Sequence, residues 1–100
     1  MSTSDLIGFI LARLDEDERT AALFHELTCP APPCHCPVPR QILRWCQAER
    51  DIVTAYERQL TTPGTQAAHP PISPATIRQS LGAMALPHET HPQWREHWRP

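Results

Sequence analysis

The residues best equipped for chemistry lie in one short stretch. His25, Cys29, Cys34, His35 and Cys36 place three thiols and two imidazoles within twelve residues. Zinc takes about four nitrogen or sulfur ligands in a tetrahedron, with thiolate sulfur at about 2.3 Å. A turn-rich loop can converge Cys29, Cys34 and Cys36 on one ion, and His25 can supply the fourth ligand from the last turn of a preceding helix. The spacing differs from a paired C-x-x-C knuckle, so unligated cysteines in a variable loop remain the competing reading. Cys29-Pro30 and Cys36-Pro37 have the form of haem-regulatory dipeptides, but two residues carry too little information to support haem. Cys46 falls on the apolar stripe of a helix, where a free thiol acts as a small hydrophobe.

Catalysis has weaker support. No orienting third group or oxyanion-hole motif accompanies the Cys and His residues, and three glycines are too few for a Gly-rich phosphate loop. The chain is therefore expected not to be an enzyme, and a cysteine-dependent enzyme stands only as an alternative.

Helices must position these groups. Ile7, Ile10, Leu14, Ala21 and Phe24 recur at three- and four-residue steps, which predicts a first helix from residue 5 to about 27 with Ser4 as its N-cap. Five prolines between Thr28 and Pro39 exclude a continuous helix there and predict a Cys/His/Pro-rich loop over 28–39. Ile42, Trp45, Cys46, Val53, Tyr56 and Leu60 form the stripe of a second helix, residues 40–60, with Pro39 suited to its first turn. Pro63-Gly64 and His69-Pro70-Pro71 mark a linker over 61–72. Ser73 caps and Pro74 opens a third helix, whose stripe Ile77, Leu81, Met84 and Ala85 runs until Pro87. A last turn places Trp94 and Trp98 on one face. The fold class is all-α: one small helical domain over 1–100, an antiparallel helix pair plus a third helix and a Trp-rich C-terminal tail.

Composition limits the partners. A chain of 100 residues buries only about two-thirds of its unfolded surface, so an additional staple would matter to its stability. All nine cationic side chains are Arg, and the net charge is −2. Residues 1–30 carry six acids against Arg13 and Arg19; residues 31–100 carry seven arginines against five acids. Neither half has the basic excess of a strong nucleic-acid binder, though Arg40, Arg44, Arg50 and Arg58 keep a nucleic-acid-binding module as an alternative. No segment approaches the ~20 apolar residues of a membrane span, and no signal-peptide pattern opens the chain, so a cytoplasmic location with reduced thiols is the default.

Two surfaces could meet a protein partner. Asp15, Glu16, Asp17 and Glu18 make an acidic turn, for which solvated helix surface is the blander explanation. Trp94 and Trp98, flanked by Arg95 and Arg99, have the composition of an interface hot spot. In a chain with six aromatics, packing of both rings against the first two helices is the competing reading.

Both ends of the chain also carry a resemblance. The acidic helix Asp5-Leu6-Ile7-Gly8-Phe9-Ile10 through Glu18, then Ile42-Leu43-Arg44 and Ala48 to Val53, precedes Met84-Ala85-Leu86-Pro87-His88 and His91-Pro92-Gln93-Trp94-Arg95-Glu96-His97-Trp98-Arg99-Pro100. This ordered pattern, covering about half the chain, resembles a family of small uncharacterised proteins of actinobacteria and actinophages, a domain of unknown function. The resemblance implies no reaction, cofactor or partner. The expected role is a small non-enzymatic accessory or regulatory protein that binds another macromolecule, with zinc as the cofactor if the loop is ligated.

Overall fold

A computed structural model of the chain describes residues 3–29, 36–61 and 72–100. Among these the protein is all-α. Helix α1 spans Thr3–Thr28, α2 spans Pro37–Thr61 and α3 spans Pro74–Ala85; short 3-10 turns follow at Leu86–His88 and Glu96–Trp98. Residues 62–71 of the expected linker lie outside the described residues.

The helix ends differ from expectation for identifiable reasons. Helix α2 begins at Pro37, three residues before the expected start, because the N–H groups of a first helical turn have no intrahelical acceptor and Pro loses nothing there. The loop is correspondingly shorter than 28–39. Thr28 Oγ1 donates to the Phe24 carbonyl at 2.8 Å and Thr61 Oγ1 to the Glu57 carbonyl at 3.0 Å, so a threonine hydroxyl occupies a late carbonyl of each long helix. Helix α3 starts as its sequence dictates: Ser73 has extended backbone, its Oγ accepts from the Thr76 N–H at 3.1 Å, and Pro74 follows.

Helices α1 and α2 pack antiparallel. Arg50 in α2 donates to Asp15 and Glu18 in α1, and the far end of α1 meets the beginning of α2 at His25, Cys29 and Cys36. The core fills the opposite half of this hairpin: Leu6, Ile7, Ile10 and Leu14 of α1 join Cys46 and Val53 of α2 and Ile77, Leu81 and Ala85 of α3. Each fully buried aliphatic side chain contributes on the order of 1.5–3 kcal/mol. Ile72 N–H donates to Gln59 Oε1 at 3.3 Å, fastening the start of α3 to the end of α2.

Phe9 gathers the C-terminal tail. Its ring centroid lies 5.5 Å from His91, 6.2 Å from Trp94 and 5.0 Å from Trp98. Trp94 and Trp98 meet edge to face at 5.8 Å. They do so without sharing a helical turn, since only Glu96–Trp98 is coiled and Trp94 precedes it. Arg13, four residues after Phe9 on the same face, is buried with its guanidinium 5.1 Å from the Phe9 ring. It donates to His91 Nε2 and pairs with Glu16 at 3.2 Å, while its Nε has no acceptor among the described residues. Trp98 approaches α3 so closely that a Cβ on Gly82 would overlap its carbonyl oxygen. Glycine is required there by proximity alone.

Two stripe residues are exposed. Phe24 is 58% exposed and Trp45 60% exposed, although the sequence places each on the apolar face of its helix. The reason is length: α3 has 12 residues against 26 in α1, and it lies against the core half of the hairpin, leaving the other half without a third layer among the described residues.

Candidate metal centre

The half of the hairpin away from α3 ends in the Cys/His cluster. His25 occupies the last turn of α1, Cys29 follows the helix immediately, and Cys36 directly precedes α2. The Cys29 N–H donates to the His25 carbonyl at 2.8 Å, which prolongs the helical register by one residue and keeps these i,i+4 side chains on one face. One ligand atom from each of His25, Cys29 and Cys36 lies within 4.8 Å of the other two, and all three residues are half-buried. Two ligands about 2.3 Å from a tetrahedral ion stand roughly 3.7 Å apart, so the cluster needs only a small contraction to close on a metal.

Electrostatics suit the arrangement. The carbonyl end of α1 carries partial negative charge and favours a cation, and Cys36 directly precedes the first turn of α2. Among the described residues Cys29 and Cys36 form no disulfide with each other or with Cys46. Three of the four ligands expected from sequence are thus brought together; Cys34 lies outside the described residues. One imidazole and two thiols make a donor set able to hold a metal ion that accepts nitrogen and sulfur ligands.

Cys46 stands apart from this group. It is buried against Leu14 and Val53 in the core, and burial, reinforced by the charges of Asp17, Glu18 and Glu49, pushes its thiol above the ordinary cysteine range. It therefore remains protonated and weakly nucleophilic near neutral pH.

The two expected partner surfaces separate into bound and open parts. Asp15 and Glu18 receive Arg50, and Glu16 receives Arg13, so three of the four acids tie structure together. Asp17 makes no ion pair among the described residues and lines the space between α1 and α2. Trp98 belongs to the core, which removes it from the surface, while Trp94 is half-buried with its indole N–H donating to Glu96 at 3.0 Å. Arg50, one of four arginines that would serve a nucleic-acid surface, is already engaged by Asp15 and Glu18.

Sequence reasoning missed the buried role of Arg13. Its signal was present in the spacing, since Arg13 follows Phe9 by four residues and Ile10 by three and so shares their face.

A model of the family of unknown function DUF6221 matches residues 3–100. The chain belongs to this family. No curated protein and no solved structure shows significant similarity to this DUF6221 chain. The match extends over all three helices and the tail, so the Cys/His cluster, the aromatic cap and the hairpin all fall within one family-defined unit.

Proposed function

We propose that the chain is a small non-enzymatic accessory or regulatory protein that binds another macromolecule, and that a structural zinc ion held by His25, Cys29, Cys36 and Cys34 closes its α1–α2 turn. The observation that carries the metal reading is the convergence of three donor atoms within 4.8 Å. Both helices then end in one coordination sphere, and the ion restricts the connecting loop in the folded state. Zinc also accounts for the thiols without catalysis: Cys29 and Cys36 are consumed as ligands, and burial keeps Cys46 protonated. Among the described residues no helix is long and apolar enough to cross a membrane, and the cytoplasm is the compartment that keeps such thiols reduced.

Metal content tests this reading. Protein purified without chelator should contain one zinc per chain, and replacing it with Co²⁺ should give thiolate-to-metal absorption. Chelation should lower Tm: an ion at 100 times its Kd stabilises by about 2.7 kcal/mol, which corresponds to roughly 10 °C or more in a domain of this size. Cys34→Ser should reduce affinity while Cys46→Ser leaves it unchanged. Zinc-free protein with no thermal response to added zinc refutes the metal site. Recovery of no macromolecule with tagged protein from the source cell refutes the binding role.

A further inference from the structure

We propose that the groove between the later half of α1 and the earlier half of α2 docks a basic amphipathic helix of a partner protein. This rests on the macromolecule-binding role and supplies its site and partner chemistry; it is independent of the metal.

The groove encloses ≈ 470 Å³, enough to receive several apolar side chains, and its floor and walls include Leu14, Ala21, Phe24, Ile42 and Trp45. Phe24 and Trp45 lie on stripes whose other members are core, so the sequence supplies a helix-packing surface that the chain's own third helix does not cover. From Leu14 to Phe24 this surface runs ~15 Å at 1.5 Å per residue, which a helix of about ten residues would span. Exposed Trp and Phe in one concave patch are aromatic residues enriched at protein interfaces, Trp especially at their hot spots.

Charge selects the occupant. Asp17 and Glu49 stand on opposite walls of the groove, one on each helix, and neither makes an ion pair among the described residues. The neighbouring Arg50 pairs with Asp15 and Glu18 and not with Asp17 or Glu49. Cys46 on the groove floor has its thiol raised first by burial and then by the charges of Asp17, Glu18 and Glu49, against the opposing charge of Arg50. An apolar trough flanked by two uncompensated carboxylates fits a helix with apolar residues at i, i+3, i+4 and i+7 and Lys or Arg on both sides. A second copy of the chain fits less well, because an isologous contact would bring an acid-rimmed surface against its own duplicate.

A display library of 14-residue helix-favouring peptides, selected against the purified full chain, tests the proposal. The enriched peptides should share the apolar spacing and a Lys/Arg excess. A selected peptide, fluorescently labelled, should bind monomeric protein and lose at least tenfold in affinity on Trp45→Ala. The Asp17→Asn/Glu49→Gln double variant should lose about fivefold and flatten the salt dependence. All three side chains border an open groove, so unchanged Tm confirms that the variants are folded. Absence of enrichment, acidic or unpatterned winners, or self-association abolished by Trp45→Ala each overturns the proposal. Peptides that bind all variants equally overturn the groove while leaving the macromolecule-binding role standing, and zinc content on the same samples reports separately on the metal.

Discussion

Two Gly→Ala substitutions should move stability in opposite directions. Both Gly8 and Gly82 lie inside helices, where Ala is intrinsically favoured over Gly by up to ~1 kcal/mol. At Gly8 an added Cβ meets nothing within 4 Å, so the helix gain should appear undiminished as a rise of about 0.5–1 kcal/mol. At Gly82 the new methyl would overlap the Trp98 carbonyl oxygen and touch Pro100 Cδ at 3.5 Å. An ordinary C···O contact is about 3.3 Å or longer, so the tail must retreat by on the order of 1 Å. That shift loosens Trp98 from Phe9, whose rings now sit 5.0 Å apart. Overpacking of this kind costs about 1–3 kcal/mol, which exceeds the propensity gain and leaves Gly82→Ala lower by roughly 1–2 kcal/mol. At about 4–8 °C per kcal/mol, Gly8→Ala should melt a few degrees above wild type and Gly82→Ala roughly 5–15 °C below it. Thermal melts followed by far-ultraviolet circular dichroism, at fixed zinc, give the comparison. Near-ultraviolet dichroism should show the Trp signal altered only in Gly82→Ala. Equal stability of the two variants would refute the packing of the tail on α3.

Leu14→Asp and Val53→Asp should each abolish cooperative melting, because both residues are buried and neither site offers a partner for a charge. Asp15→Asn with Glu18→Gln should lower stability by up to about 1 kcal/mol through loss of the Arg50 ties, measurable by urea titration; Asp17→Asn should leave it unchanged or slightly raised. The Glu96 carboxyl is held below the ordinary glutamate range first by its hydrogen bond from Arg99 and then by that from Trp94. Its contribution is therefore complete above the unfolded-chain value and lost as pH falls through the lower folded value. A Trp fluorescence titration in acid should show this step in wild type and not in Glu96→Gln.

The helices were legible because their signals are local. The stripe Ile7, Ile10, Leu14 and Ala21, the Ser73-Pro74 start and the proline-rich break all depend on residues within a few positions of one another. His25, Cys29 and Cys36 were legible for the same reason, since an antiparallel turn must bring the end of one helix near the start of the next. Phe24 and Trp45 were assigned to the core because periodicity identifies an apolar face and is silent on what covers it. Whether α3 reaches that face depends on its length and on where it docks. Pairings between distant segments were likewise hidden: Arg50 takes Asp15 and Glu18, which together with the local Arg13 to Glu16 pair leaves one acid of the run open. Nothing in the run itself distinguishes Asp17 from its neighbours.

The contact of Phe9 with Trp98 also constrains how the chain is made. Helix α1 leaves the ribosome with Phe9, Ile10 and Arg13 lacking their lids, because His91, Trp94 and Trp98 follow far later in the chain. The α1–α2 hairpin can assemble meanwhile, since its partners are near in sequence and a metal at its turn could fasten it. Sealing of the base must wait for the tail, and contacts of such sequence separation form slowly. A chain interrupted just before Trp94 would thus carry all three helices and still expose an aromatic surface, a recognisable mark of incomplete synthesis for quality-control proteases.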